Sequence, residues 1–420
     1  MKILFLQKRL LFPPNTGGKI RTLNVVRHLA EWHDLTYVCN LLPEEQRFLP
    51  EMRSLGVELK TVGWTEASRR SFQFLWFALR NLLFSPLPLN VQKDQDSRLR
   101  SLVQDEVESG QYDLLICDFV QTAGNCIGLK IPKLLFQHNV EAEIFERLAD
   151  RGGPLWRLYL SMQAGRMRQF EGAAGKDFNG VVAVSERDKM RFETEYSWRH
   201  VRLIDTAVDT NYFQPPPDAS PRAGVVFVGS MDWPPNVDGV LSFISGSWQR
   251  IRADRPDVSL TIVGRNPPAS LLHHQGRDGI RITGTVDDIR PYLSASAVAV
   301  VPLHSGGGTR LKIFESMAMG CPVVSTELGA EGLPLQDGEH LLIRDGDQPF
   351  ADAVLNVLAD PDCARRLARS ALALVQTKYS SMAVARQFEQ HCREAIADST
   401  LNQPGNRVES GSLDPTATEM

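Results

Sequence analysis

Apolar residues along this chain come in short runs, and between the runs they recur at helical spacing. Lys2–Gln7 and Leu35–Cys39 predict strands, and Ile20, Leu23, Val26 and Leu29 mark one face of a helix over Gly18–Trp32 between them. Tyr112–Cys117, Lys133–Phe136 and Val181–Val184 continue the series. Apolar runs alternating with helical stretches predict a parallel sheet with helices on both faces. The rhythm restarts after Pro215–Gly224, a stretch rich in proline and small polar residues. Val225–Val228, Ser259–Val263, Ile280–Thr283, Ala297–Pro302 and Pro322–Ser325 predict a second sheet. Phe350–Leu358, Cys363–Gln376 and Ser381–Ile396 read as closing helices, and from Asp398 the apolar periodicity stops. The expected organisation is α/β with two doubly wound domains: residues 1–214, a linker at 215–224, a second domain at 225–378, a closing helix at 379–398 and a disordered tail at 399–420.

A chain of 420 residues fits two domains of ordinary size. Lys and Arg number 46 against 50 Asp and Glu, a net charge of −4, which excludes general nucleic-acid binding as the main business of the chain. Six cysteines, Cys39, Cys117, Cys126, Cys321, Cys363 and Cys392, form no Cys-x-x-Cys pair, so zinc ribbons and thioredoxin-like redox motifs are excluded. Such usage suits a reducing cytoplasm. The opening MKILFLQKRLLF carries Lys8 and Arg9 inside its apolar run and reads as a strand, not a signal peptide. No uninterrupted apolar run reaches the ~20 residues that span a bilayer.

Ligands of open α/β sheets bind beyond the carboxyl ends of the strands. After the first strand comes Pro13-Pro14-Asn15-Thr16-Gly17-Gly18, where paired glycines let amides approach an anion at a helix start, or simply make a capped tight turn. After Lys133–Phe136 come Gln137 and His138; a histidine there serves hydroxyl binding or proton transfer, or caps the next helix. Ser185 with Asp188 reads as a capping box. In the second half, Gly229-Ser230 closes a strand and leaves room for phosphate oxygens. Gly264-Arg265 and Gly284-Thr285-Val286 repeat the strand-then-glycine pattern, with Arg265 either a phosphate contact or a surface cation.

The most informative stretch is His304-Ser305-Gly306-Gly307-Gly308-Thr309-Arg310-Leu311-Lys312-Ile313-Phe314-Glu315. A strand runs into three glycines and then a helix with two cations at its start. Cations there oppose the helix dipole, and an anionic ligand would offset that cost. Free amides, Arg310 and Lys312 together suit a diphosphate, and Glu315 suits sugar hydroxyls. The plain alternative is a Lys312–Glu315 surface pair after a flexible loop. No Gly-Lys-Ser/Thr follows the glycines, so this is not a Walker motif. A further segment, Arg69–Phe84, interleaves Arg69, Arg70 and Arg80 with Phe72, Phe74, Trp76 and Phe77. It reads either as an amphipathic helix on an anionic membrane or as a helix buried against the sheet.

The pieces FPPNTGGKIRTLNVVRHLA, QHNVEAE, VVAVSERD, VFVGSMDWPPN and GGGTRLKIFESMAMGCPVVST together resemble the GT-B glycosyltransferases, and within them the large retaining family 4, of the type that builds bacterial surface polysaccharide. The resemblance implies two Rossmann-like domains facing a cleft, with a C-terminal helix returning to the N-terminal domain. It implies transfer of a sugar from a nucleotide-sugar donor to a saccharide or lipid-linked acceptor, without a bound metal or other cofactor and without nucleic acid. Glu315 maps to the family's ribose-binding carboxylate and His138 to its cleft histidine. Arg310, Lys312 and the amides of Gly306, Gly307, Gly308 and Thr309 take the diphosphate, with Gly229, Ser230 and Arg265 beside them. Thr285 and Val286 meet the base. Gly17 and Gly18 form the acceptor or phosphate loop. The family usually has another Glu eight residues before Glu315, where this chain has Gly307. The expected location is the cytoplasm, with peripheral contact at the inner face of the plasma membrane through Arg69–Phe84. A sugar-nucleotide epimerase of the same fold and a catalytically silent sugar-nucleotide-binding protein are the alternatives.

Overall fold

A computed structural model describes residues 1–66, 71–150, 153–217, 221–306 and 310–401. Met1–Thr22, Leu29–Ile204 and the described residues from Gln387 to Leu401 form one compact unit, and Leu23–His28 with Asp205–Arg386 form a second. The long segment of the second unit thus begins at Asp205, ahead of the proline-rich stretch.

The first unit is built on seven strands: β1 (Lys2–Gln7), β2 (Asp34–Leu41), β3 (Glu58–Gly63), β4 (Leu114–Asp118), β5 (Lys133–Phe136), β6 (Gly180–Ala183) and β7 (Val201–Leu203). Their order is β3-β2-β1-β4-β5-β6-β7, with every pair parallel. The order reverses between β1 and β4, which pair from Ile3↔Leu114 to Leu6↔Cys117. At such a reversal the connections leave on opposite faces and open a crevice at the carboxyl ends. Gln7 and Asp118 stand there, and β5 ends alongside in Gln137 and His138.

The second unit repeats the plan with β8 (Val225–Val228), β9 (Leu260–Val263), β10 (Ile280–Ile282), β11 (Val298–Val301), β12 (Val323–Ser325) and β13 (Leu342–Ile343), ordered β10-β9-β8-β11-β12-β13 and again parallel. Alternate residues of these strands feed two apolar cores, because side chains leave a strand on opposite faces. Val225, Phe227, Ile262, Val298 and Val300 pack with Val240, Trp248 and Val354 on one face; Val226, Val263, Ala299 and Val301 pack with Ile313, Phe314 and Met317 on the other. Burial on both faces is why these strands read as continuous Val/Ile runs. The reversal between β8 and β11 places Gly229 beside the loop that leaves β11 at Pro302.

Three strands escaped the sequence pattern. β3 is an edge strand with exposed Glu58, Thr61 and Gly63, and β7 and β13 are short. The closing helix runs over Ser381–Leu401, so 399–401 are helical and not part of a disordered tail; a helix anchored by upstream packing extends one hydrogen bond at a time into polar sequence. Residues 402–420 lie outside the described residues. The preceding helix is Pro361–Leu374, capped by the Asp360 carboxylate, and passes into a π turn at Val375–Tyr379. Ser185 caps its helix as expected, accepting the Asp188 N–H at 3.1 Å. All six cysteines are buried, and none is in a disulfide. No described helix is long and apolar enough to cross a membrane.

Candidate functional site

In the second unit the helix Leu311–Ala318 starts at Arg310 and directs Lys312 toward the end of β8. The Lys312 amine donates to Asn236 Oδ1 at 2.7 Å and lies 4.3 Å over the Phe227 ring. Asn236 is buried in the first turn of the helix Pro234–Ser245 and is itself fixed by donating to the Ser230 carbonyl at 2.7 Å. A Cβ at Gly229 would come within 2.7 Å of the Lys312 nitrogen and 2.8 Å of Asn236 Nδ2, so only glycine leaves room for that amine at the strand end. Burial pushes the Lys312 ammonium down to about 7; Glu315 opposes the shift and Arg310 adds to it.

Glu315, one turn on, is half-buried, and among the described residues its carboxylate has neither a hydrogen bond nor an ion pair. Burial pushes it up to about 7, with Lys312 opposing. The plain surface-pair alternative for Lys312 and Glu315 is therefore not what forms: Lys312 pairs with Asn236. An amine of lowered pKa and a carboxyl of raised pKa one turn apart at a sheet's reversal point mark this corner as the candidate site.

Arg310 is 3% exposed and turned toward its own loop, donating to the carbonyls of Gly306 at 3.0 Å and Leu328 at 3.3 Å, with its guanidinium 5.7 Å over Trp233. Burial lowers its pKa, and Glu331 opposes that. Gly306 adopts φ 101°, and a Cβ there would meet Trp233 at 2.7 Å. Gly307, Gly308 and Thr309 lie outside the described residues. Ser230 and Arg265 join a surface cluster: Arg265 Nε donates to Asp232 at 2.7 Å and to Ser230 Oγ at 3.1 Å, and Asn266 donates to Asp232 at 2.8 Å. Thr285 and Val286 follow Gly284, which takes φ 70° after β10; Val286 packs on the core.

In the first unit His138 is buried and engaged on every side. Nε2 is 2.6 Å from Asp118 Oδ1, and Nδ1 is 3.1 Å from Arg21 Nη1. Arginine only donates, so Nδ1 accepts and Nε2–H points at Asp118, which fixes one neutral tautomer. Burial lowers the His138 pKa, with Asp118 opposing and Arg21 adding. Asp118 also accepts from Gln7 at 2.9 Å and from Thr22 at 2.7 Å. The imidazole stacks on Phe119 at 4.1 Å and 18° and lies 4.2 Å from the Phe136 ring. Gly18 is part of this arrangement: a Cβ on it would come within 2.8 Å of Phe119 Cζ. Gly17 has open space around its α-carbon, and Thr16 caps the helix by accepting from the Lys19 N–H at 3.4 Å.

The sequence reading missed Asn236, Asp118 and Arg21. Asn236 closes the VFVGSMDWPPN piece, where no role fell to it. Asp118 carried a usable signal, a carboxylate at the carboxyl end of a strand; Arg21 carried none, being one polar residue of a helix face.

The Glycosyl transferases group 1 family model matches residues 222–360. An "Uncharacterized 44.6 kDa protein in cps region" of Klebsiella pneumoniae is 23% identical over 403 residues, spanning 91% of this chain and 97% of that one. The "Lipopolysaccharide core biosynthesis glycosyltransferase LpsE" of Rhizobium meliloti is 33% identical over 154 residues, 35% of this chain and 41% of its own length, so that likeness spans less than half of the relative. Among solved structures, Anabaena Alr3699/HepE in complex with UDP and glucose superposes with a TM-score of 0.63 at 15% identity, covering 93% of this chain and 98% of that one. The matched region holds Gly229, Asn236, Arg310, Lys312 and Glu315 together. Residues 222–360 thus carry the likeness to the glycosyl transferases group 1 family, and the chain as a whole has two Rossmann-like units of the GT-B kind.

Proposed function

We propose that this chain is a retaining glycosyltransferase that takes a sugar from a nucleotide-diphosphate donor and passes it to a saccharide or lipid-linked acceptor in bacterial surface-glycan synthesis. The observation that carries the donor assignment is the Lys312 amine, admitted to the end of β8 by Gly229 and held by Asn236, with the Glu315 carboxylate one turn away. A diphosphate beside Lys312 restores the charge that burial takes from it. Glu315 then accepts from ribose hydroxyls. As the sugar–phosphate bond breaks, charge gathers on the leaving diphosphate, and a cation already fixed there stabilises that state without reorganising. In this reading the chain's own cations, not a metal ion, neutralise the diphosphate, so EDTA leaves the rate unchanged. HepE, crystallised with UDP and glucose, and LpsE, named for lipopolysaccharide core synthesis, support the donor class and the product class respectively.

The acceptor side belongs to the first unit, and there the helix Phe72–Phe84 supports a membrane-bound acceptor. Phe72, Leu75, Trp76, Leu79 and Leu83 recur at helical spacing and are exposed, Phe72 by 82% and Leu83 by 62%. The helix holds no acidic residue, and its one cation, Arg80, is exposed. Arg69 and Arg70 lie outside the described residues. An outward apolar stripe with a cation fits the surface of an anionic bilayer. The burial alternative does not describe this helix, whose stripe faces solvent. A cytoplasmic location accords with six buried cysteines that form no disulfide.

The test is to incubate the purified chain with UDP-, GDP- and ADP-sugars, with and without a membrane extract. Acceptor-dependent nucleotide release supports the transferase. A new sugar nucleotide formed without acceptor would make the chain an epimerase, and binding without turnover would make it a silent binding protein.

A further inference from the structure

A single carboxylate holds both loops that set the His138 ring. Glu171, on the helix Pro154–Gly175, is wholly buried and accepts four hydrogen bonds. Oε1 takes the Gln137 side-chain amide at 2.7 Å and the Glu141 N–H at 3.1 Å; Oε2 takes the Tyr196 hydroxyl at 2.7 Å and the Ala142 N–H at 3.4 Å. Gln137 directly precedes His138, and Glu141 and Ala142 open the helix that follows it. The loop carrying the imidazole is thus pinned at both ends by one group.

The clamp reaches further. The Gln137 side-chain oxygen accepts the Val120 N–H at 2.8 Å. Val120 follows Phe119, which is held at φ 67°, a backbone state unfavourable for any residue with a Cβ. That residue supplies the ring stacked on His138 and pressed against Gly18. Glu171 therefore acts on His138 along two routes: directly through the 137–142 backbone, and through Gln137 on the aromatic plate beneath the ring. All four partners of Glu171 donate, so the arrangement suits an acceptor-only carboxylate; an amide in its place would point an N–H at a donor. Burial pushes the Glu171 carboxyl up to about 7, opposed first by the Tyr196 hydroxyl.

We propose that Glu171, acting through Gln137, is a positioning residue that fixes the place and tautomer of His138. The proposal rests on the reading of His138 as a site residue, and its test is independent of sugar transfer. In the full chain labelled with ¹⁵N-histidine, the His138 ring nitrogens, assigned with His138→Gln, are expected to show one neutral form protonated at Nε2. Glu171→Gln and, separately, Gln137→Met are expected to shift or broaden that pair toward a tautomer mixture, while the signals of His28 and His391 stay in place. Gln137→Met leaves the helix-start contacts of Glu171 intact, so it decides the matter where Glu171→Gln fails to fold. Once a donor and acceptor are in hand, both variants are expected to lower kcat about tenfold with donor KM unchanged, as misplacement without loss of binding requires. An unchanged His138 spectrum in a folded Gln137→Met variant overturns the proposal, whatever the transfer assay gives. A failed transfer assay with the spectral change present overturns instead the role given to His138.

Discussion

Replacing Lys312 by Met keeps an unbranched stem over the Phe227 ring and removes the charge and the donor to Asn236. In the free protein the Lys312 pKa is about 7, so at pH 8 the amine carries only about a tenth of a proton. A bound diphosphate, fully ionised at that pH, favours the charged amine, so binding draws in close to one proton from buffer. Glu315, also near 7, is by then mostly ionised and stays so while accepting ribose hydroxyls, which leaves Lys312 as the source of the uptake. The sign follows: affinity for UDP falls as pH rises through 7, by about tenfold per unit until the bound-state pKa is reached. Titration calorimetry at pH 8 in buffers of different ionisation enthalpy measures the proton count directly. Lys312→Met is expected to abolish the uptake and the pH slope and to weaken UDP by roughly 1.5–3 kcal/mol, the worth of a hydrogen bond to a charged group, or about tenfold to a hundredfold. A buffer-independent enthalpy in the wild type, or wild-type UDP affinity in the variant, refutes Lys312 as the diphosphate cation.

Glu315→Gln is expected to weaken donor binding by roughly 1.5–3 kcal/mol while raising the melting temperature at pH 8, because the raised carboxyl pKa makes the ionised form costly above about 7 and the amide relieves that cost; calorimetry and a thermal scan check the two halves. Asp118→Asn keeps one acceptor oxygen and turns an N–H toward either His138 or the Thr22 and Gln7 donors, and should cost about 1–3 kcal/mol of stability, read from denaturant unfolding. Gly18→Ala drives a methyl into Phe119 and should cost about 1–3 kcal/mol, with the His138 ring signals displaced. Co-sedimentation with anionic vesicles is expected, weakening with salt and lost in a Phe72, Trp76 and Leu83 to Ser variant; wild type left in the supernatant at low salt counts against the membrane surface.

The features legible in the sequence are those that depend on local pattern. Val225–Val228 and Val298–Val301 are buried on both faces, and a run buried on both faces announces itself as a strand. β3 did not, because an edge strand with Glu58, Lys60 and Thr61 carries the composition of a loop. The cations at the start of the helix Leu311–Ala318 were legible, since charges placed against a dipole ask for a ligand. Their unequal fates were not: Lys312 reaches the strand end while Arg310 folds back on Gly306 and Leu328, a difference set by which direction each leaves the helix. The His138 network was illegible for a different reason. Arg21, Asp118 and Glu171 lie far from it in sequence, and only the β1–β4 reversal and the packing of the helix Pro154–Gly175 bring them to one ring.

The central claim is that the Lys312–Glu315 corner of the second unit holds the donor during transfer. Its most direct test is movement of labelled sugar from nucleotide donors into a membrane extract, comparing the wild type with a folded Lys312→Met, Glu315→Ala double variant. The account predicts label in a saccharide or lipid product with the wild type and none above background with the variant. Undiminished transfer by the variant would contradict it.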